Sequence, residues 1–268
     1  MYICALRIQH TIYFLEGKMV IIMIILNTNL NISMKTSASN TDIKKTFLEV
    51  YEKSLKTKYT PPSILPIPDS VPTNIPLIIM QSLSNHTQLV LSRSSVSIGT
   101  SYDENYSSSW DKCEKHLLEK VDDVFLFINA LEGIKINYIG LVVQIIKNDY
   151  DNASLYIFDN LLKFKSNQNV YDAECKLTYV LKDEYYINLQ IENVRLVRGK
   201  PVVSETDFEG DDSQNQLLMS IDVNNRYSYN FKKNRSIKEE NVSEIVSYTR
   251  KIVENLDSIV EGDVKIED

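Results

Sequence analysis

The sequence has 268 residues, of which 43% are hydrophobic and 24% charged, so it predicts a folded chain with a sizeable core rather than a disordered one. The formal net charge of −7 argues against nucleic acid as a partner, because phosphate contacts require clustered lysine and arginine. The longest basic cluster, at 231–235, is interpreted as a solvated loop. Three widely spaced cysteines, Cys4, Cys113 and Cys175, favour a reducing cytoplasm over a disulfide framework.

The N-terminal region is predicted to contribute little before its first strand. Residues 1–18 are interpreted as dispensable, or as preceding the true start codon. The apolar run at 19–26 is far shorter than the ~20 residues of a membrane span, and no small-residue cleavage site follows it. We therefore expect a buried strand here and no membrane association.

The first strand is predicted from an alternation of side chains over 26–34. Its even-numbered positions are apolar or threonine, whereas Asn27, Asn29 and Asn31 occupy odd-numbered positions. A period of two indicates one buried face and one solvent-facing face. If helices cover the apolar side, the three asparagines line an uncovered sheet face. Short amides there suit a hydrogen-bonding protein interface, and an ordinary solvated sheet face is the alternative.

A helix is predicted next, capped by Ser39 or Thr41 and carrying an apolar stripe over 43–55. Six of the seven prolines then fall within 61–76. Because proline fixes φ and lacks an N–H group, we expect this proline strap (61–76) to run extended over the surface. Its apolar residues are predicted to pack on the body of the protein.

Three strands and a long helix complete the first unit. The strands are predicted at 77–80, 88–91 and 95–98. Apolar residues spaced by three and four predict a helix over 110–131. The serines Ser107–Ser109 are predicted to cap it, with Asp111 as a capping-box partner of Ser108.

The second unit opens with the apolar run 136–146, which predicts a central strand buried on both faces. A short helix is predicted near 155–162, and a final helix is predicted to start near Ser236 or Asn241. The intervening strands are predicted at 175–181, 185–197 and 217–223. The segment 227–231 is predicted either to extend the last strand or to form a short extra one.

The order strand, helix, three strands, helix thus occurs twice, in 19–133 and in 134–268. We predict an α+β fold made of a duplicated β-α-β-β-β-α module, with curved antiparallel sheets and helices packed on one face. This order is similar to helix-grip and TATA-binding-protein-like modules. The two units are expected to form one compact structural unit. One continuous sheet with all four helices on a single side is the alternative.

No motif in the sequence predicts a catalytic, cofactor or metal site. Only 7 glycines occur and no GxG, which disfavours a phosphate-binding loop. Cys113 and His116 lie one helical turn apart, but too few further ligands accompany them for zinc. The acidic segment 205–211 lacks the bidentate glutamate of a calcium loop and is interpreted as a connection between strands. His86 lies near two serines without the sequence context of a catalytic nucleophile.

Three tyrosines on predicted strands support a different hypothesis. Tyr138, Tyr179 and Tyr186 would supply polar groups to an apolar pocket between sheet and helix. Ordinary packing of these tyrosines is the alternative.

Four short segments, 72–79, 92–98, 138–141 and 220–224, resemble a sporadically distributed family of uncharacterised bacterial proteins. The resemblance covers most of the chain after about residue 24. It implies a single-unit α+β protein of bacterial type, and it supplies no catalytic residues.

These observations lead us to expect a non-enzymatic cytoplasmic binding protein, encoded in a mobile or defence-related bacterial operon. The alternative function is small-molecule binding or an unusual hydrolysis in a cavity between sheet and helix. A homodimer is also predicted, through the helix 110–131 or a sheet edge, because that helix carries a wide apolar surface. Coverage of the same surface by the proline strap is the alternative.

Overall fold

The computed structural model describes residues 14–15, 18–19, 23–147, 150, 152–165, 169–197, 213–233 and 237–262. These residues form an α+β fold. The strands are β1 (Phe14–Leu15), β2 (Lys18–Met19), β3 (Met23–Lys35), β4 (Ser63–Ile64), β5 (Ile78–Gln81), β6 (Thr87–Leu91), β7 (Ser95–Ser101), β8 (Lys135–Lys147), β9 (Glu174–Leu181), β10 (Tyr185–Val197) and β11 (Ser213–Asn224). The helices are α1 (Asn40–Val50), α2 (Trp110–Ala130), α3 (Ala153–Tyr156), α4 (Arg226–Asn230), α5 (Glu240–Glu254) and α6 (Leu256–Val260). Helices α1 and α3 each continue into one π-helical turn, Tyr51–Leu55 and Ile157–Leu161.

Nine strands form one open antiparallel sheet in the order β4-β5-β6-β7-β3-β8-β11-β10-β9. Among the residues that the structure describes, strands β1 and β2 pair with each other and not with this sheet. The opening strands of the two units, β3 and β8, are paired at the centre. Outwards from β3 the order is β7, β6, β5 and β4, and outwards from β8 it is β11, β10 and β9. Apart from β4, the two sides mirror each other.

The core lies on one face of this sheet, between the strands and the helices. Even-numbered residues of β3, such as Leu30 and Ile32, are fully buried, as are the odd-numbered Ile139 and Leu141 of β8. One continuous group of buried side chains runs through both units. Helix α2 contacts both α1 and α5, so helices of the same chain flank the wide apolar surface noted in its sequence.

The helix starts agree only in part with the sequence analysis. Ser39 caps α1 through a capping box with Asp42, which confirms the first predicted cap. Helix α2 begins after Ser109, one of the three serines predicted to cap it, but the Ser109 side chain makes no capping hydrogen bond. The predicted capping box of Ser108 and Asp111 is therefore wrong.

Two predictions for the second unit are also wrong. Strand β8 is not buried on both faces, because Tyr138, Val142 and Gln144 are only half-buried on the side opposite helices α2 and α5. The segment 227–231 does not extend β11, since Arg226–Asn230 forms helix α4. The acidic segment 205–211 lies outside the described residues.

The proline strap runs along one edge of the sheet and is tied to the body by hydrogen bonds. Leu65 N donates to Leu77 O at 2.9 Å, and Asn40 Nδ2 donates to Ile67 O at 2.9 Å. The Arg93 guanidinium donates to the carbonyl oxygen of Val71 at 2.8 Å. Only two strap residues, in β4, pair with the sheet.

Candidate functional site

The face of the sheet opposite helices α1, α2 and α5, called the open face here, carries polar side chains at its centre. Asn29 is exposed there, and Asn27 and Asn31 are half-buried. Because side chains alternate along β3, the asparagine side chains point to the face opposite that of the core residues Leu30 and Ile32. The structure thus places all three predicted asparagines on the uncovered face.

Small neighbours surround the middle asparagine. Asn29 lies opposite Gly99 of β7 and Val142 of β8. A Cβ atom built on Gly99 would meet no atom within 4 Å. Among the described residues, no side-chain hydrogen bond is made by Asn29, so its amide is available to a ligand.

The two flanking asparagines are held in place by neighbouring strands. Asn27 Nδ2 donates to Gln144 Oε1 at 2.7 Å, and Gln144 Nε2 in turn reaches Ser220 Oγ at 3.4 Å. Asn31 Nδ2 donates to Ser97 Oγ at 2.8 Å. These cross-strand contacts fix the orientation of the two amides.

A second set of hydrogen bonds continues across the other half of the open face. Thr178 Oγ1 donates to Asn188 Oδ1 at 2.8 Å, and Asn188 Nδ2 donates to Asp222 Oδ2 at 2.9 Å. Asn224 Nδ2 donates to the other oxygen of Asp222, also at 2.9 Å. A Cβ on Gly140 would lie 3.0 Å from the Cβ of Asn224, so the glycine leaves room for this group.

Aromatic side chains and one arginine form a cluster at one end of the open face. Its members, called the aromatic corner here, are Tyr138, Tyr186, Arg226, Tyr227, Tyr229 and Phe231. Ring centroids lie 5.6 Å apart for Tyr138 and Tyr229, and 5.2 Å apart for Tyr186 and Tyr227. The Arg226 guanidinium stacks 4.5 Å from the Tyr138 ring centre, and one of its NH groups donates to the Tyr138 hydroxyl at 2.7 Å. Tyr229 and Phe231 are 51% and 59% exposed, so the corner presents large apolar rings to solvent.

Helix α4 brings its aromatic residues to this corner through contacts with distant parts of the chain. Asn225, just before the helix, accepts a hydrogen bond on Oδ1 from Ile139 N at 2.7 Å. Ser228 N donates to Glu184 O in the β9–β10 turn at 3.2 Å. These two contacts fix α4 beside the ends of β8 and β10.

The structure separates the three tyrosines predicted to line a pocket. Tyr138 and Tyr186 lie on the open face, whereas Tyr179 pairs with the buried Ile187 on the helix-covered face. The three side chains therefore do not converge on one cavity. Two of them instead share the open face with the asparagines.

Two residues of α2 that sequence analysis weighed as zinc ligands have other partners. Burial raises the pKa of the Cys113 thiol to about 12, and its Sγ lies 3.4 Å from Tyr106 O. His116 Nε2 lies 2.8 Å from Thr87 Oγ1, and burial lowers the pKa of its imidazole. Within the described ranges, no group of three or more His, Cys, Asp or Glu side chains is arranged to hold a metal ion.

Asp123 and His86, two further titratable residues of the first unit, have partners within the protein. The Asp123 carboxylate is 1% exposed and accepts hydrogen bonds from Lys58 Nζ at 2.5 Å and Tyr59 Oη at 2.8 Å. Burial and the Asp123 charge raise the pKa of the Tyr59 hydroxyl. His86 lies 3.4 Å from Asp103, and the nearby Ser82 Oγ accepts a hydrogen bond from Thr87 N.

Comparison of the chain with models of protein families and with curated proteins found no match. Among the helices that the structure describes, none is long and apolar enough to cross a membrane.

Sequence analysis missed the residues of α4 in the aromatic corner. Tyr227, Tyr229 and Phe231 alternate, which led to a strand prediction, and the basic residues beside them were interpreted as a solvated loop. The density of aromatic and basic residues within 226–233 is the sequence signal that sets this segment apart from an ordinary solvated loop.

Proposed function

We propose that this chain is a non-enzymatic binding protein whose open face binds another protein. The observation that carries the proposal is the presence of a fixed row of amides and an exposed aromatic corner on the sheet face opposite helices α1, α2 and α5. The amides supply hydrogen-bonding groups and the corner supplies apolar area.

The aromatic corner has the composition of an interface hot spot. Tyrosine and arginine are enriched among the residues that contribute most binding energy, because they combine a large apolar body with a polar tip. The stacking of Arg226 on Tyr138 fixes both side chains in advance, which lowers the entropy lost on binding. Tyr229 and Phe231, which are 51% and 59% exposed, leave large ring surfaces for a partner to bury.

The amide row gives the same surface its specificity. Asn27 and Asn31 are already oriented by Gln144 and Ser97, while Asn29 lies exposed between them. A partner that offers backbone or side-chain hydrogen bonds at this spacing would be recognised. The carboxylates of Asp222 and Glu192 on the same face disfavour a nucleic-acid backbone.

We also propose that the chain is built from a duplicated module and acts in the cytoplasm of a bacterium. A duplicated module in TATA-binding-protein-like order is supported by the mirrored arrangement of strands about the β3–β8 pair. Free Cys113 and Cys175 are compatible with a cytoplasmic location. Membership of the sporadic bacterial family, and a place in a mobile or defence-related operon, rest on the sequence alone.

The proposal is tested with a double variant of the open face, Asn29→Lys with Tyr229→Ala. Both side chains are exposed, and the Asn29 side chain makes no hydrogen bond in the described structure, so the melting temperature should change little. The tagged protein is purified from its own cells, and the proteins that accompany it are quantified by mass spectrometry. We expect the accompanying partner of the unaltered chain to be lost.

A matched control adds the same charge and removes a comparable apolar side chain on the helix side. Ser258→Lys with Leu126→Ala meets this requirement, since both residues are exposed on helices. The control should retain the partner. Retention by the open-face variant, or equal loss from both variants, would overturn the proposal.

A groove elsewhere on the surface favours the small-molecule alternative. It has a volume of about 940 Å³ and lies between the end of α2, the start of β8 and the start of α5. Its apolar lining consists of Phe125, Ile128, Leu131, Ile134, Ile136 and Ile237. Binding of an apolar fluorescent dye that is lost in Ile128→Trp would support this function, and unchanged binding would count against it.

A further inference from the structure

The two edges of the nine-stranded sheet differ in how they are protected. At one end β4 has two paired residues, within the proline strap. At the other end β9 has eight residues and contains no proline, and among the described residues only β10 pairs with it. Natural sheets usually protect their edges, because unpaired strands associate with other strands.

The free backbone groups of β9 belong to its even-numbered residues. Asn193 N donates to Ala173 O at 3.3 Å, so the backbone of residue 173 faces β10. Backbone groups of an antiparallel strand alternate in direction, so Cys175, Leu177 and Tyr179 also face β10. The N–H and C=O groups of Glu174, Lys176, Thr178 and Val180 therefore point away from the sheet.

Exposed apolar side chains accompany this edge. Leu177 is 40% exposed on the helix side of β9, and Val180 is 48% exposed on the open face. Beside the strand, the turn Ile157–Leu161 contacts β9 and β10, and it leads to Phe164, which is 61% exposed. A neighbouring strand would cover part of this apolar surface.

We propose that two copies of this chain pair through β9, antiparallel and about a two-fold axis at Leu177. In this register every outward-facing residue from 174 to 180 has a partner, so both strands satisfy all of their free backbone groups. Glu174 lies opposite Val180 of the second copy, and Lys176 lies opposite Thr178. Leu177 packs against its own copy on the helix side and extends the core across the axis.

Other arrangements fit less well. Moving the axis to Lys176 would place two lysines opposite each other and leave fewer hydrogen bonds. A two-fold axis between two successive residues of β9 would place a side chain on the helix side of one copy opposite a side chain on the open face of the other. Helix α2, the other candidate interface from sequence analysis, already lies between α1 and α5.

The axis is tested by cross-linking with Leu177→Cys in a Cys175→Ser background. Opposed residues at such a position have Cα atoms about 4.5 Å apart, which suits a disulfide. We expect mild oxidation to convert most of the protein to a covalent dimer, seen on a non-reducing gel.

Val180→Cys in the same background is the matched control, because it has similar exposure on the same strand. Its two copies would lie six residues apart along the paired strands, which is about 20 Å. No disulfide between them is expected. Equal cross-linking by the two cysteines, or none by Leu177→Cys, would overturn the proposal.

A second experiment interrupts the pairing without new cysteines. Lys176→Pro removes an outward-facing N–H, whereas Lys176→Ala removes the same charge and keeps the N–H. Light scattering at tens of micromolar should give a dimer mass for the unaltered chain and for Lys176→Ala, and half that mass for Lys176→Pro. A monomer mass for the unaltered chain, or a dimer mass for Lys176→Pro, would contradict the proposed interface.

Discussion

The two faces of the sheet are built from the same strands but do different work. On the covered face, residues such as Leu30 and Leu141 are fully buried and hold the helices. On the open face, adjacent positions carry amides and hydroxyls that bind one another across strands, such as Asn27 to Gln144. The alternation of β3 therefore places core residues and polar surface residues at successive positions of one strand.

The largest contrast is expected between neighbouring residues of β3. Leu30→Ala should lower the free energy of unfolding by about 2–5 kcal/mol, because it leaves a cavity in a fully buried site. Asn29→Ala should change it by less than about 0.5 kcal/mol, since the side chain is exposed. Urea unfolding of both variants measures the difference. Similar losses in both would mean that the two faces are not distinct.

Buried and exposed polar side chains should also differ in their contribution to the free energy of unfolding, but by less than Leu30 and Asn29 do. Asp123→Asn alters a buried carboxylate that accepts from Lys58 and Tyr59, so it should cost about 1–3 kcal/mol of unfolding free energy. Thr178→Val removes an exposed hydrogen bond to Asn188, and water replaces the lost partner there. A change below about 0.5 kcal/mol is expected for Thr178→Val. Urea unfolding measures both changes. A larger loss for Thr178→Val than for Asp123→Asn would contradict the expected effect of burial.

Two glycines on the strands of the open face differ in how closely neighbouring atoms approach them. Gly140→Ala places a Cβ 3.0 Å from that of Asn224, so we expect a loss of about 1 kcal/mol. Gly99→Ala meets no atom within 4 Å, and it should leave stability unchanged or raise it by about 0.5 kcal/mol. Thermal melts of the two variants test this. A stabilised Gly140→Ala would show that the Asn224 group is not tightly packed.

The smallest expected effect is a pH dependence from His116. Burial, with a contribution from Lys120, lowers the pKa of this histidine in the folded state. The unfolded chain, with a histidine pKa of about 6.5, therefore binds the proton first as the pH falls, so stability declines below that pH until the folded-state pKa is reached. His116→Gln should weaken the decline in the urea midpoint between pH 7.5 and pH 5.5. An identical decline in the variant would show that His116 does not contribute.

Much of the fold could be predicted from the sequence, because local patterns determine it. The alternation in β3 gave the strand and its polar face, and Ser39 gave the start of α1. Strand β8 was assigned burial on both faces because Val142 and its apolar neighbours hide the alternation that the structure reveals. A continuous apolar run does not say whether a second layer of helices exists.

The candidate site could be predicted only where it lies on one strand. Asn27, Asn29 and Asn31 share a face by periodicity alone. The aromatic corner depends on the contact of Asn225 with Ile139, which are 86 residues apart in the chain. No local pattern encodes that contact, so Tyr227 and Tyr229 were assigned to a strand.

The most direct test of the binding function places a photo-cross-linking amino acid at single positions in the producing cells. Asn29 and Tyr229 report on the open face, and Ser258 on the helix side is the control. We predict a discrete adduct with another protein from both open-face positions, weakened by Arg226→Ala, and no adduct from Ser258. Adducts from Ser258 alone, or none from either open-face position while the chain retains a partner, would contradict the account.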